Sequence, residues 1–84
     1  MEQHYTREEL MSMRDILRIA IQREEEAYEF YRRAYEQCAT AAERKMFERL
    51  MQQELDHKRI LSEQLEDIEA QMDIDRALSE DFPP

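Results

Sequence analysis

The stretch CATAAE, residues 38–43, decides the fold because it places a helix-start signal in the middle of a helix-forming sequence. Thr40 is followed three residues later by Glu43, the Ser/Thr-x-x-Glu pattern of a capping box. The sequence contains no glycine, and its two prolines are Pro83 and Pro84. Glycine and proline are the residue types that interrupt helices, so nothing before residue 83 forces a helix to break. With the capping box at Thr40, the sequence therefore predicts one helix before Thr40, one after it and a short turn between them.

A second capping box, Thr6 with Glu9, marks the start of the first helix. We expect helices over about residues 7–38 and 41–72, then a short aspartate-capped turn over 73–79 and a frayed tail over 80–84. Each long helix would measure about 48 Å at about 1.5 Å per residue. The short link predicts an antiparallel helical hairpin, so we expect a single all-α domain over residues 1–84.

The composition favours a small soluble protein. A chain of 84 residues buries a marginal core unless metal or oligomerisation adds stability. The net charge of −9, with Lys and Arg interleaved among acids, argues against a nucleic-acid partner. No run suits a membrane span, and residues 1–5 lack the basic start of a signal peptide, so we expect no membrane partner and a cytoplasmic location. The single cysteine, Cys38, fits a reducing compartment, although an intermolecular bridge stays open.

Each predicted helix carries a stripe at alternating steps of three and four residues, the spacing that faces a partner helix. The first stripe consists of Leu10, Met13, Leu17, Ala20, Glu24, Ala27, Tyr31, Ala34 and Cys38. The second consists of Phe47, Leu50, Glu54, His57, Leu61, Gln64, Ile68 and Gln71. Glu24, Glu54 and His57 stand out because a buried carboxylate or imidazole needs a compensating partner.

These three polar positions are predicted to meet. Glu24 lies on the stripe, whereas the side chains of Glu25 and Glu26 point about 100° and 200° away and are expected to be surface charges. Glu54 and His57 are neighbours on one helical face at i and i+3. Because all three residues lie about 15 to 18 residues from the turn, the antiparallel hairpin brings them to one level. The Glu-x-x-His spacing directs a carboxylate and an imidazole at one metal.

Two runs, AIQREEEAYEFY at residues 20–31 and FERLMQQELDH at residues 47–57, resemble the first and second metal-binding helices of the rubrerythrin and ferritin-like superfamily. The resemblance covers about residues 16–65. Most members carry two such half-sites in one chain, and this chain carries one. It is most similar to the encapsulated ferritins, whose two-helix subunits form a di-iron site across a dimer interface.

The resemblance implies a site and a set of partners. Glu24, Glu54 and His57 would be the ligands of a di-iron (Fe2+/Fe3+) site, with Mn or Zn as substitutes. Tyr31 would be a catalytic tyrosine near that site, and Glu26 would lie on the metal approach. The hairpin would dimerise into a ferritin-like four-helix bundle, as a homodimer or a larger homo-oligomer. An encapsulating shell protein would be a further partner, although the sequence does not contain the Leu- and Gly-containing tail that targets such cargo. Arg23 also replaces the acidic residue that can precede the first ligand.

The function implied by this resemblance is a ferroxidase that oxidises Fe(II) for iron storage or detoxification. The enzymatic alternative is a rubrerythrin-like peroxide reductase, which would need electrons from another protein because the sequence has no Cys-x-x-Cys pair. A third hypothesis is a structural assembly module without redox chemistry, in which the buried charges set the register of the helices. Metal analysis of the purified protein separates this third hypothesis from the other two.

Overall fold

The computed structural model describes residues 4–81, and these residues form two α-helices packed against each other. Helix α1 spans Arg7–Glu36 and helix α2 spans Ala41–Asp81. The hairpin is 66 Å long and only 23 by 16 Å in cross-section. The prediction of an all-α antiparallel hairpin is therefore confirmed. Neither helix is long and apolar enough to cross a membrane.

Both capping boxes form as the sequence predicts. The Glu9 amide donates to the Thr6 hydroxyl at 3.1 Å, and the Thr6 amide donates to the Glu9 carboxylate at 3.0 Å. The Glu43 amide donates to the Thr40 hydroxyl at 3.1 Å, and the Thr40 amide donates to Glu43 Oε1 at 3.1 Å. Because each box satisfies amides that lack helical acceptors, the two helix starts are fixed locally.

Helix α1 ends at Glu36, two residues before the predicted end at Cys38. The amide of Gln37 donates to the carbonyl of Ala34 at 3.1 Å and that of Cys38 to the carbonyl of Tyr35 at 3.2 Å, so the last turn tightens instead of continuing as a regular α-helix. The guanidinium of Arg44 donates to the carbonyl of Cys38 at 3.2 Å. This bond from the first turn of α2 ties the connection to the second helix.

Helix α2 continues to Asp81, so the predicted end at Met72 and the separate turn after it are wrong. No glycine or proline occurs before Pro83, and the aspartates that were expected to cap a new turn instead bond along the helix. Gln71 donates to Asp75 and Arg76 donates to Asp73, each at 2.8 Å. Such pairs one turn apart stabilise a continuous helix. Of the tail predicted over 80–84, residues 80 and 81 are helical and residues 82–84 lie outside the described residues.

The two helices bury little of their apolar surface against each other. Among residues 4–81, Leu10 is the buried hydrophobic residue, at 1 % exposure, and most stripe residues are half-buried. Contacts across the hairpin include the rings of Tyr31 and Phe47, whose centroids are 6.3 Å apart, and the 3.2 Å ion pair of Arg18 with Glu69. A hairpin of this kind leaves apolar faces uncovered.

Candidate metal centre

The three polar stripe residues come together midway along the hairpin. Helix α1 contributes Glu24, and helix α2 contributes Glu54 and His57 one turn apart. One oxygen from each carboxylate and one imidazole nitrogen lie within 4.8 Å of one another. Glu24 and Glu54 are half-buried, whereas the His57 side chain is 57 % exposed. The predicted meeting of the three residues is thus observed, and their role as ligands stays a prediction.

Glu24 is the unusual member of this cluster. Its side chain is only 23 % exposed, and its Oε2 is buried without a hydrogen-bond donor from the described residues. The nearest cationic candidate is Nδ1 of His57, at 3.7 Å, which is too long for a hydrogen bond. A carboxylate oxygen that has lost water and gained no donor is unfavourable by about 1 to 3 kcal/mol. A cation at this position would remove that penalty.

The chemistry of the donor set fits iron. Two carboxylates and one imidazole form a mixed oxygen and nitrogen set, which suits iron or manganese and is also accepted by zinc. Three side chains do not fill the coordination sphere of a metal ion, so further coordination positions would stay open. In di-iron carboxylate bundles the full complement is four glutamates and two histidines, which is twice the set present in this hairpin.

The two glutamates that follow Glu24 do not join the cluster. Glu25 is exposed, as expected of a surface charge, and it also forms a 3.6 Å ion pair with Lys58 of α2. This pair joins the helices at the level of the cluster, and the sequence analysis missed Lys58. The sequence could have predicted this contact, because Lys58 directly follows His57 and therefore lies at nearly the same height along the hairpin. Glu26 is exposed and accepts a 3.2 Å hydrogen bond from Gln22.

Tyr31 is half-buried and belongs to an aromatic cluster nearer the turn. Its ring meets Phe30 edge to face, with centroids 5.7 Å apart, and lies 6.3 Å from the ring of Phe47. It follows Glu24 by two helical turns, about 10 Å along the axis. The structure thus places Tyr31 on the same helix as Glu24 but about two turns away from it, and its catalytic role stays a prediction.

Comparison with known proteins identifies the family. The Rubrerythrin family matches residues 2–70, which include both helical runs and all three residues of the cluster. Comparisons with curated proteins and with solved structures gave no significant match. Since the family match covers most of the sequence, this chain is a member of the rubrerythrin family.

Proposed function

We propose that the protein is a di-iron oxidoreductase, with Glu24, Glu54 and His57 as iron ligands and Fe(II) oxidation as its reaction. The observation that carries the proposal is the buried, unpaired Oε2 of Glu24 inside a cluster of two carboxylates and an imidazole. Membership of the rubrerythrin family supports iron as the metal. A structural charge pair would instead be expected to satisfy both carboxylate oxygens of Glu24.

The complete centre requires two copies of the chain. One hairpin supplies three protein ligands, whereas two hairpins supply four carboxylates and two imidazoles. The His57 side chain is 57 % exposed in one hairpin, which supports a second hairpin covering it in the complete centre. Bundle formation would also exclude bulk water from Glu24 and strengthen its attraction to a cation.

The bound iron supplies the redox chemistry, in which each Fe(II) gives up one electron and an oxidant such as dioxygen accepts the electrons. The protein binds the metals and controls how metal ions reach the site. Glu26 is exposed two residues after Glu24, and its negative charge would raise the local concentration of cations on the approach to the site. Tyr31, two helical turns from Glu24 along α1, is the tyrosine that we propose to act in catalysis at this centre.

Aerobic oxidation of Fe(II) tests this proposal. The metal-free protein is mixed with Fe(II) in air, and Fe(III) formation, dioxygen uptake and hydrogen peroxide are followed together. We expect oxidation well above the rate in buffer for the wild type and for Glu66→Gln, an exposed carboxylate far along α2. Glu54→Ala should fall to the buffer rate. Oxidation at the wild-type rate in Glu54→Ala would contradict the proposal.

A peroxide reductase is a second candidate because the chain belongs to the rubrerythrin family. The same ligands would serve, with hydrogen peroxide as the oxidant and a separate protein as the electron donor. Turnover of hydrogen peroxide with an added reductant, compared with oxidation of Fe(II) by dioxygen, separates the two candidates. Faster use of peroxide than of dioxygen by the iron-loaded protein favours the reductase.

A further inference from the structure

A cleft lies between the helices near the end of the hairpin where α1 begins and α2 ends. Its volume is about 500 Å³. Leu10, buried to 1 % exposure, and Met72 form its apolar part, and arginines and carboxylates line most of the rest. None of the described residues that line it belongs to the candidate metal centre. We call this space the arginine cleft.

The arginine cleft carries an excess of positive charge within an acidic protein. Among the described residues that line it, four are arginines and three are carboxylates, in a chain whose net charge is −9. Arg7, Arg14 and Arg18 follow one another at seven and four residues, so one side of α1 supplies three of the guanidiniums. Arg76 of α2 supplies the fourth. A concave surface with this local charge attracts small anions, whereas the charge of the whole chain still disfavours nucleic acid.

The carboxylates of the cleft have donors of their own. Arg18 donates to Glu69 at 3.2 Å, and Arg76 donates to Asp73 at 2.8 Å. The third carboxylate, Asp75, accepts a 2.8 Å hydrogen bond from a side-chain amide one turn earlier on α2. Two of the four guanidiniums are therefore paired inside the cleft, and the other two have no carboxylate from it.

Arg14 holds donors that the described residues do not use. Its Nε donates to Asp15 at 3.0 Å, which leaves Nη1 and Nη2 without an acceptor in residues 4–81. The Arg14 side chain is only 25 % exposed, so it lies against the wall of the cleft. Neither terminal nitrogen is closed off from solvent, and both are accessible to a ligand. Two free nitrogens on one guanidinium form the planar fork that binds a carboxylate or phosphate group.

Arg7 is the second arginine with free donors. It forms no ion pair with the described residues, and it precedes Arg14 by two turns on the same side of α1. Leu10 lies between them along the helix, and the two backbones are separated by about 10 Å along the axis. Two long side chains can close that distance from opposite sides. An anion above Leu10 would therefore have a guanidinium on each side and apolar surface beneath it.

From these contacts we infer that the arginine cleft binds a small anion through a carboxylate or phosphate group, with Arg7 and Arg14 as the residues that hold it. Leu10 and Met72 offer apolar contact to the rest of the ligand. The volume of the cleft lies in the range of small-molecule sites in proteins. Glu69 limits the affinity, because its carboxylate neutralises Arg18 and repels an anion. Binding at this site requires neither iron nor the proposed reaction.

Titration of the full chain with inorganic phosphate and with succinate tests the inference. Metal is removed with a chelating resin, because a soluble chelator is itself a polycarboxylate and would compete. Chloride holds the ionic strength constant, and NMR follows the Nε-H signals of the arginines. We expect the Arg14 signal to shift and saturate with at least one anion, and saturation by one alone identifies its group as the ligand chemistry. Linear shifts with both anions, or saturation only at arginines outside the cleft, would overturn the inference.

Two matched pairs of variants separate the cleft from general surface charge. Arg14→Gln should raise the dissociation constant about tenfold, the effect of one charge-assisted contact. Arg59→Gln removes an arginine that does not line the cleft and should leave the constant unchanged. Glu69→Gln should lower the dissociation constant, whereas Glu63→Gln, which removes the carboxylate paired with Arg59, should not. Circular dichroism checks that the helices persist in all four.

The comparison within each pair decides the outcome, because its two members change the net charge equally. Equal effects of Arg14→Gln and Arg59→Gln would overturn the inference, since binding would then follow the net charge of the chain. Equal effects of Glu69→Gln and Glu63→Gln would overturn it for the same reason. Opposite shifts of the dissociation constant in Arg14→Gln and Glu69→Gln, with both controls unchanged, are the result that the arginine cleft predicts.

Discussion

The Oε2 atom of Glu24 lies 3.7 Å from Nδ1 of His57 across the hairpin, and no donor within residues 4–81 bonds to it. The two residues belong to different helices and face each other at the same level. A contact of this length is too long for a hydrogen bond and leaves the carboxylate oxygen without a donor. A cation shared by the two side chains would supply the missing partner, which is the role proposed for iron.

Replacing Glu24 should stabilise the metal-free protein while removing metal binding. Glu24→Leu eliminates a half-buried carboxylate and adds apolar contact, so the free energy of unfolding without metal should rise by about 1 kcal/mol. Urea unfolding under chelator measures the change, with Glu48→Leu as an exposed control. A loss of stability of similar size would indicate that Glu24 is a structural residue.

Metal should stabilise the wild-type assembly. Clustered carboxylates repel one another without cations, and a ligand bound only by the folded state adds stability in proportion to its affinity. Anaerobic Fe(II) at about a hundred times its dissociation constant should add about 2.7 kcal/mol and raise the melting temperature. Glu24→Leu should show no such rise. Identical melting curves for wild type with chelator and with Fe(II) would count against the metal centre.

The turn should depend on the hydroxyl of Thr40. Thr40→Ala removes the acceptor for the Glu43 amide, so the hairpin should lose about 1 kcal/mol of stability. Thr40→Ser keeps the hydroxyl and should stay close to the wild type. Chemical unfolding of the three proteins provides the comparison. Equal losses in both variants would mean that the methyl group, and not the cap, is responsible.

The start of α1 should weaken in acid. The amide and the hydroxyl of Thr6 hydrogen-bond the Glu9 carboxylate and lower the pKa of Glu9 from its ordinary value. Because the pKa is lowered in the folded state, these hydrogen bonds contribute stability above the ordinary pKa near 4.5. That stability is lost as the pH falls through the lowered value. A carboxyl NMR titration should find the pKa of Glu9 below its ordinary value near 4.5. A pKa of Glu9 at that ordinary value would contradict the capping box in solution.

The sequence predicts the hairpin well because its signals are local. Thr40 and Glu43 bond to each other, so the turn follows from four adjacent residues. The meeting of Glu24 with His57 follows from the turn, since antiparallel helices align residues equally far from it. Those two inferences need no knowledge of side-chain packing.

The errors arise where local signals compete. Asp73 and Asp75 have the chemistry of helix caps, but the absence of glycine and proline lets α2 continue, and both side chains bond within it. The pairing of Glu25 with Lys58 depends on where two long side chains lie across the hairpin. Periodicity identifies the stripe that faces the other helix, whereas the unpaired state of Glu24 Oε2 emerges only from the packed structure.

The central claim is that Glu24, Glu54 and His57 hold iron between two copies of the chain. Equilibrium binding of Fe(II) without oxygen, measured with the dimer mass in the same sample, tests it most directly. We predict two irons per wild-type dimer, almost none for Glu24→Ala and His57→Ala, and the wild-type value for Glu25→Gln, the adjacent carboxylate. Two irons per dimer in Glu24→Ala, or their loss in Glu25→Gln with Glu24 intact, would contradict the assignment.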